Sequence, residues 1–137
     1  VTRIQYTSGR ASPGYPAVRE RACRLLGALA SDGARELLLD SLRREPLLQV
    51  RLEALEALGV IGLDPGGELA RFLEVESRRG AEERLILTGI EALGRILSGG
   101  PGDSEDYRVL ARLAADERRR VRDRAQRILT ELRRRLP

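Results

Sequence analysis

The chain has 137 residues, 42% of them apolar but only 3% aromatic, and 25 basic residues against 21 acidic ones leave a net charge of +4. That length suits one compact domain, and a core of Leu, Ala, Ile and Val with so few aromatics points to stacked helices rather than a β-sandwich. His and Lys are absent and Cys23 is the lone cysteine, which excludes an internal disulfide, a cysteine zinc cluster, Schiff-base chemistry and the commonest general base.

Every basic residue is an arginine, a bias that a GC-rich bacterial coding sequence explains without any functional cause. No stretch approaches the roughly 20 apolar residues of a membrane-spanning helix. Residues 1–14 lack the apolar run of a signal peptide, so a cytoplasmic location is expected. Val1 in place of Met reads as the start of a processed or excised piece.

Taken in chain order, residues 1–14 read as an extended arm or linker, with VTRIQY extended and Ser8-Gly9 and Ser12-Pro13-Gly14 as loop signals. Helical periodicity then predicts segments at 17–30, 33–45, 47–62, 66–79, 81–98, 104–116 and 118–135. Asp32 is placed to cap the second segment, and Asp64-Pro65 reads as the cap and first residue of the fourth. The run Ser98-Gly99-Gly100-Pro101-Gly102 separates the fifth from the sixth. No sheet is expected beyond a short strand within residues 1–7.

One ten-residue phrase occurs four times: VRERACRLLG at 18–27, VRLEALEALG at 50–59, LILTGIEALG at 85–94 and VRDRAQRILT at 121–130. The copies are offset by 32, 35 and 36 residues. Val18, Val50, Leu85 and Val121 open the phrase, with Ala22, Ala54, Gly89 and Ala125 four residues on and Leu26, Leu58, Leu93 and Leu129 four later again. That spacing keeps one helix face apolar, and the small middle residue lets a neighbouring helix come close. Second helices lie between the phrases, so the unit is helix, short turn, helix, and a pair that cannot bury its stripe alone must stack on another. The expected core is Val18, Ala22, Leu26, Leu37, Val50, Ala54, Leu58, Leu73, Leu85, Leu93, Val109, Val121, Ala125 and Leu129. Repeat one lacks a first helix in residues 1–14: either the array starts with a lone helix, or its partner lay upstream.

The phrase V-R-x-x-A-x-x-x-L-G resembles the HEAT-like repeats named after phycobilisome lyases, over residues 15–137. Copy three departs from it with Leu85-Ile86 in place of Val-Arg, and copy four ends in Thr130 rather than Gly, as a terminal capping unit would. The resemblance implies an all-α fold, an α-solenoid of about four helix-turn-helix repeats, with a domain at 15–137. It also implies structural ion pairs between an acid and the phrase arginine six residues on, Glu45 with Arg51 and Asp116 with Arg122. Copies one and three have Pro13 and Gly80 at the acidic position.

Nothing in the sequence forms a recognisable catalytic motif. The glycine-rich 99–102 stretch follows a helix rather than a strand, so it is a linker and not a phosphate cradle. Cys23 aligns with Leu55, Ile90 and Gln126, and reads as a buried inert thiol. The Glu82-Glu83 pair sits at a helix start, where carboxylates favour the dipole. Neither a metal nor a cofactor is expected.

The resemblance places the phrase helices along a concave face. Two tracks of outward positions then run Arg24, Glu56, Glu91, Arg127 and Arg21, Glu53, Thr88, Arg124, basic at the ends and acidic or neutral in the middle. An acidic centre opposes a nucleic-acid groove. The expected function is therefore a non-catalytic protein–protein scaffold using Arg21, Arg24, Glu53, Glu56, Glu91, Arg124 and Arg127. A plainer reading has these charges pairing between neighbouring repeats. Residues 116–137 hold nine arginines against four acids, so an acidic partner, nucleic acid included, is the alternative at the C-terminal helix. A phycobilin-lyase-like subunit is a further alternative implied by the resemblance.

Overall fold

In a computed structural model, residues 6–7, 10–11 and 16–135 are described. Most of them are helical, and two strands of two residues each precede the helices. Strands β1 (Tyr6–Thr7) and β2 (Arg10–Ala11) pair antiparallel, with Tyr6 opposite Ala11 and Thr7 opposite Arg10. The second strand corrects the expectation of a single short one within residues 1–7. The remainder of the predicted arm lies outside the described residues.

Helices α1 (Pro16–Leu29), α2 (Asp32–Arg44), α3 (Leu48–Ile61), α4 (Glu68–Arg78), α5 (Glu83–Gly99), α6 (Ser104–Leu113) and α7 (Arg119–Arg134) follow the seven predicted segments closely. Their ends are set by local chemistry. Ser31, not Asp32, caps α2: its hydroxyl accepts the Ala34 N–H at 3.0 Å, while Asp32 occupies the first turn. Pro65 opens a short 3₁₀ turn, after which Gly66 and Gly67 both take φ of +69° and break the helix. Asp64 therefore caps α4 from a distance, its two carboxylate oxygens accepting the Leu69 and Ala70 N–H groups at 2.9 and 3.2 Å. Asp103 and Asp106 form a reciprocal capping box on α6. Helix α4 ends in a Schellman arrangement, with Ala81 N–H to the Glu76 carbonyl and Gly80 N–H to that of Ser77. Gly80 has φ of +76°, and nothing lies within 4 Å of a Cβ built there. Gly80→Val is thus expected to lower stability by about 1–2 kcal/mol through backbone conformation alone. Gly80→Asn, which tolerates the left-handed region, should lose less, and thermal melts of the two variants compare them.

The chain forms two compact units, one ending at Ile61 and the other beginning at Gly62. In the first, α1 packs on α3, and α2 packs on both. A Cβ on Gly27 of α1 would stand 2.9 Å from the Ala57 Cβ of α3, so the missing side chain is what permits this approach. In the second unit α5 packs on α7 and α4 on α6, with α4 on α5 and α6 on α7 joining the two layers. A Cβ on Gly94 of α5 would stand 3.1 Å from Ile128 of α7, and one on Gly89 would overlap the Leu73 side chain of α4. In both units, then, phrase helices lie on phrase helices.

Ala22, Leu26, Val50, Ala54, Leu58, Leu73, Leu85, Leu93, Val109, Val121 and Ala125 are buried, as the phrase register requires. Three expected core residues are not. Val18 is 48% exposed, while the neighbouring Arg19 is buried against Glu45. Leu37 is exposed, since α2 buries the series Ala34, Leu38, Leu42. Leu129 is half-buried, and the apolar edge of α7 runs on to Leu132 instead.

Candidate protein-binding surface

Several of the outward charges are engaged with one another. In the first unit Arg24 meets Glu53 at 3.1 Å, while Arg21 and Glu56 are exposed. In the second unit Arg124 meets Glu91 at 2.7 Å, Arg127 is exposed and Thr88 is half-buried. Each pair joins one copy of the phrase to the next. Arg21, Glu56 and Arg127 make no ion pair among the described residues.

The acid that precedes a phrase is held differently in the two units. Glu45 is buried and receives Arg19 through two bonds, Nε to Oε2 at 2.9 Å and Nη2 to Oε1 at 3.2 Å, and it also accepts the Leu47 N–H. The phrase arginine of copy one thus reaches the acid that precedes copy two. Arg51 donates from Nε to the Leu42 carbonyl at 3.1 Å. Asp116 does not pair with Arg122. Copy three has Ile86 where copy one has Arg19, so no arginine arrives from that helix. Arg118 and Ser77 hold Asp116 instead, through Arg118 Nε at 3.0 Å and the Ser77 hydroxyl at 3.2 Å. Arg118 keeps that carboxyl below its usual range. Arg122 lies beside Asp123 at 3.8 Å.

Two polar clusters in the second unit were not read from the sequence. Arg108 of α6 forks onto Glu74 of α4 at 2.9 and 3.0 Å and also binds Glu105, and its hydrogen bond holds the Glu74 carboxyl low. Their i,i+3 and i,i+4 partners were visible in the chain, but the bond from α4 to α6 depends on packing. The second cluster joins the caps of the same helices. Asp106 is fully buried: its Oδ2 accepts the Asp103 N–H at 2.9 Å, and its Oδ1 meets no donor N–H or hydroxyl. Burial, with the neighbouring Asp64 carboxyl, pushes the Asp106 carboxyl up to about 8, against the pull of the Asp103 N–H. It therefore holds a proton at neutral pH and shares it with Asp64.

Cys23 is buried and free, 4.0 Å from the Ser41 hydroxyl, and burial raises its thiol to about 11. That environment suits a packing residue rather than a nucleophile. A groove of about 810 Å³ runs beside the turns that end α4 and α6, with Ser77, Asp116 and Arg118 on its wall and Glu82 and Glu83 at its rim. Asp116 and Arg118 are bound to each other there. No group of three or more potential metal ligands occurs among the described residues. No described helix is long and apolar enough to cross a membrane.

Two further surfaces stand out among the exposed residues. On α7, the Arg119 and Arg120 side chains are 85% and 73% exposed, and Arg133, Arg134 and Arg135 make no ion pair among the described residues. On α1, Val18, Leu25 and Leu29 are all about half exposed and, at spacings of seven and four residues, fall on one stripe. No family model, curated protein or solved structure matches the chain.

Proposed function

We propose that this chain is a non-catalytic binding module, an α-solenoid of HEAT-like repeats that holds another protein on its helix surfaces. The like-on-like packing carries the reading: α1 on α3, α5 on α7 and α4 on α6. In such a stack each helix gives one face to the core and leaves its outer residues to a partner. Arg21, Glu56 and Arg127 are the charges of the ridge that stand exposed. Arg24, Glu53, Glu91 and Arg124 join them by exchanging their present ion pairs for a partner's groups, at small cost because these pairs are solvated.

Complementary charge on such a surface sets association rate more than affinity. With a partner isolated on the native chain, Glu56→Arg and Arg127→Glu are each expected to slow association about tenfold at low salt. The difference should close at high salt as screening shortens the field. Rates that match the native chain at low salt would move the binding site off the ridge.

A second reading is favoured by the exposed arginines of α7: an acidic partner, nucleic acid included, bound at that helix. A gel shift titrated with salt separates the two, since phosphate contacts give a steep salt dependence.

A further inference from the structure

The two phrase-on-phrase contacts follow one rule. The tenth residue of a phrase, a glycine, meets the eighth residue of the next phrase: Gly27 on Ala57 in the first unit, Gly94 on Ile128 in the second. The eighth position receives the preceding helix, and the first and twelfth positions share its helix stripe. On α7 they are Val121, Ile128 and Leu132, which are buried, half-buried and buried. On α3 they are Val50, Ala57 and Ile61, likewise buried, buried and half-buried. On α1 the same positions are Val18, Leu25 and Leu29, and they are 48%, 52% and 56% exposed. They keep the residue types of a receiving stripe, and among the described residues none covers them. The other end differs: copy four carries Thr130 at its tenth position, exposed, with its hydroxyl bonded to the Gln126 carbonyl. A receiving face is open at α1, and the giving face at α7 is closed with a polar residue.

We propose that the Val18–Leu25–Leu29 stripe of α1 is a docking site for a helix of a partner protein, an amphipathic helix with a glycine where it crosses Leu25. The rule that covers the same positions on α3 and α7 names the occupant, because only a residue without a side chain lets the backbones come as close as Gly27 and Ala57 do. A second copy of the chain is the poorer occupant. Its α7 offers Thr130 and arginines, and so lacks a glycine at the tenth position where the rule needs one. Apolar burial in the stripe supplies affinity, and the glycine requirement supplies specificity. The inference rests on the binding-module reading and gives that module an apolar site separate from its charged ridge.

The test uses the whole chain and a peptide that carries the giving face, residues 16–30 of this sequence with Cys23→Ser and blocked ends. Fluorescence anisotropy is expected to show saturable binding, tighter than about 1 mM. Leu25→Glu or Leu29→Glu in the chain should weaken it at least tenfold, as should Gly27→Leu in the peptide. Arg127→Glu in the chain should leave it unchanged. Both chain positions are half exposed, so the variants should fold, and circular dichroism checks that they do. Absence of saturation, or binding indifferent to Leu25→Glu and Leu29→Glu, would overturn the proposal while leaving the ridge experiment intact. A dimer of the native chain that Leu25→Glu dissolves would also overturn it, since the occupant would then be a second copy.

Discussion

Ala54→Glu is expected to unfold the first unit. Ala54 sits at the small middle position of the second phrase and is fully buried on α3, the helix that packs against both α1 and α2. A glutamate there puts a carboxylate out of water and adds four heavy atoms to a site that is already filled. An uncompensated buried charge costs about 3–5 kcal/mol, a large part of the 5–15 kcal/mol that holds a typical domain together. Two residues along the same helix, Glu56 is exposed, so Glu56→Ala should change stability by less than about 0.5 kcal/mol. Urea unfolding followed by circular dichroism reads both. An Ala54→Glu variant with the native midpoint would show that the phrase register is wrong.

The second large effect is a dependence on pH that comes from the Asp64–Asp106 pair. The acids facing Asp106 are Asp64, from the turn before α4, and Asp103 on its own cap. No arginine relieves them: Arg108 is taken by Glu74 and Glu105, and Arg71 donates to the Gly66 carbonyl. Below about pH 4 the folded and unfolded chains both hold the Asp106 proton. Between there and about 8 only the folded chain does. The folded state therefore binds more protons across this window, so stability falls as pH rises through it and levels off above. Glu74 and Asp116 act at the other end, since carboxyls held low by Arg108 and Arg118 lose their stabilisation in acid. Asp106→Asn should flatten the alkaline decline. An amide accepts the Asp103 N–H through its oxygen and donates to Asp64 through its nitrogen, replacing the shared proton with a permanent one. At about pH 9 the variant should be about 2 kcal/mol more stable than the native chain, or roughly 6 °C in melting midpoint. A native midpoint that stays level from about pH 5 to about pH 9, with Asp106→Asn melting lower throughout, would contradict the shared proton.

These two sites mark how far the residues alone could be read. Helix positions, the phrase register and the small residues at close approaches were legible because each is a local or periodic property: Gly27 and Gly89 occupy phrase positions where a neighbour must come near. The one-residue slip on α2, Leu38 for Leu37, escaped notice because the run Leu37-Leu38-Leu39 is apolar at every step and carries no phase. Val18 was misplaced because burial there depends on a preceding helix, not on Val18. Arg19 with Glu45, Arg108 with Glu74 and Asp64 with Asp106 lie 26, 34 and 42 residues apart in the chain, and packing alone brings them together. Ion pairing drew Arg24 to Glu53 and Arg124 to Glu91 along the outward tracks that the repeat had revealed. The exposure of Val18, Leu25 and Leu29 on α1 is likewise set by packing and is not written in the chain.

Equivalent phrase positions should differ in accessibility only because of what lies before them in the stack, and thiol labelling measures that directly. In a Cys23→Ser background, Leu25→Cys and Ala57→Cys place a thiol at the eighth position of copies one and two. Under native conditions the thiol at position 25 is expected to react with Ellman's reagent about as fast as a free cysteine. The thiol at position 57, covered by Gly27, should react at least a hundredfold more slowly, until denaturant opens the unit. Equal labelling rates in the folded chain would contradict both the stacking of phrase on phrase and the open face at α1.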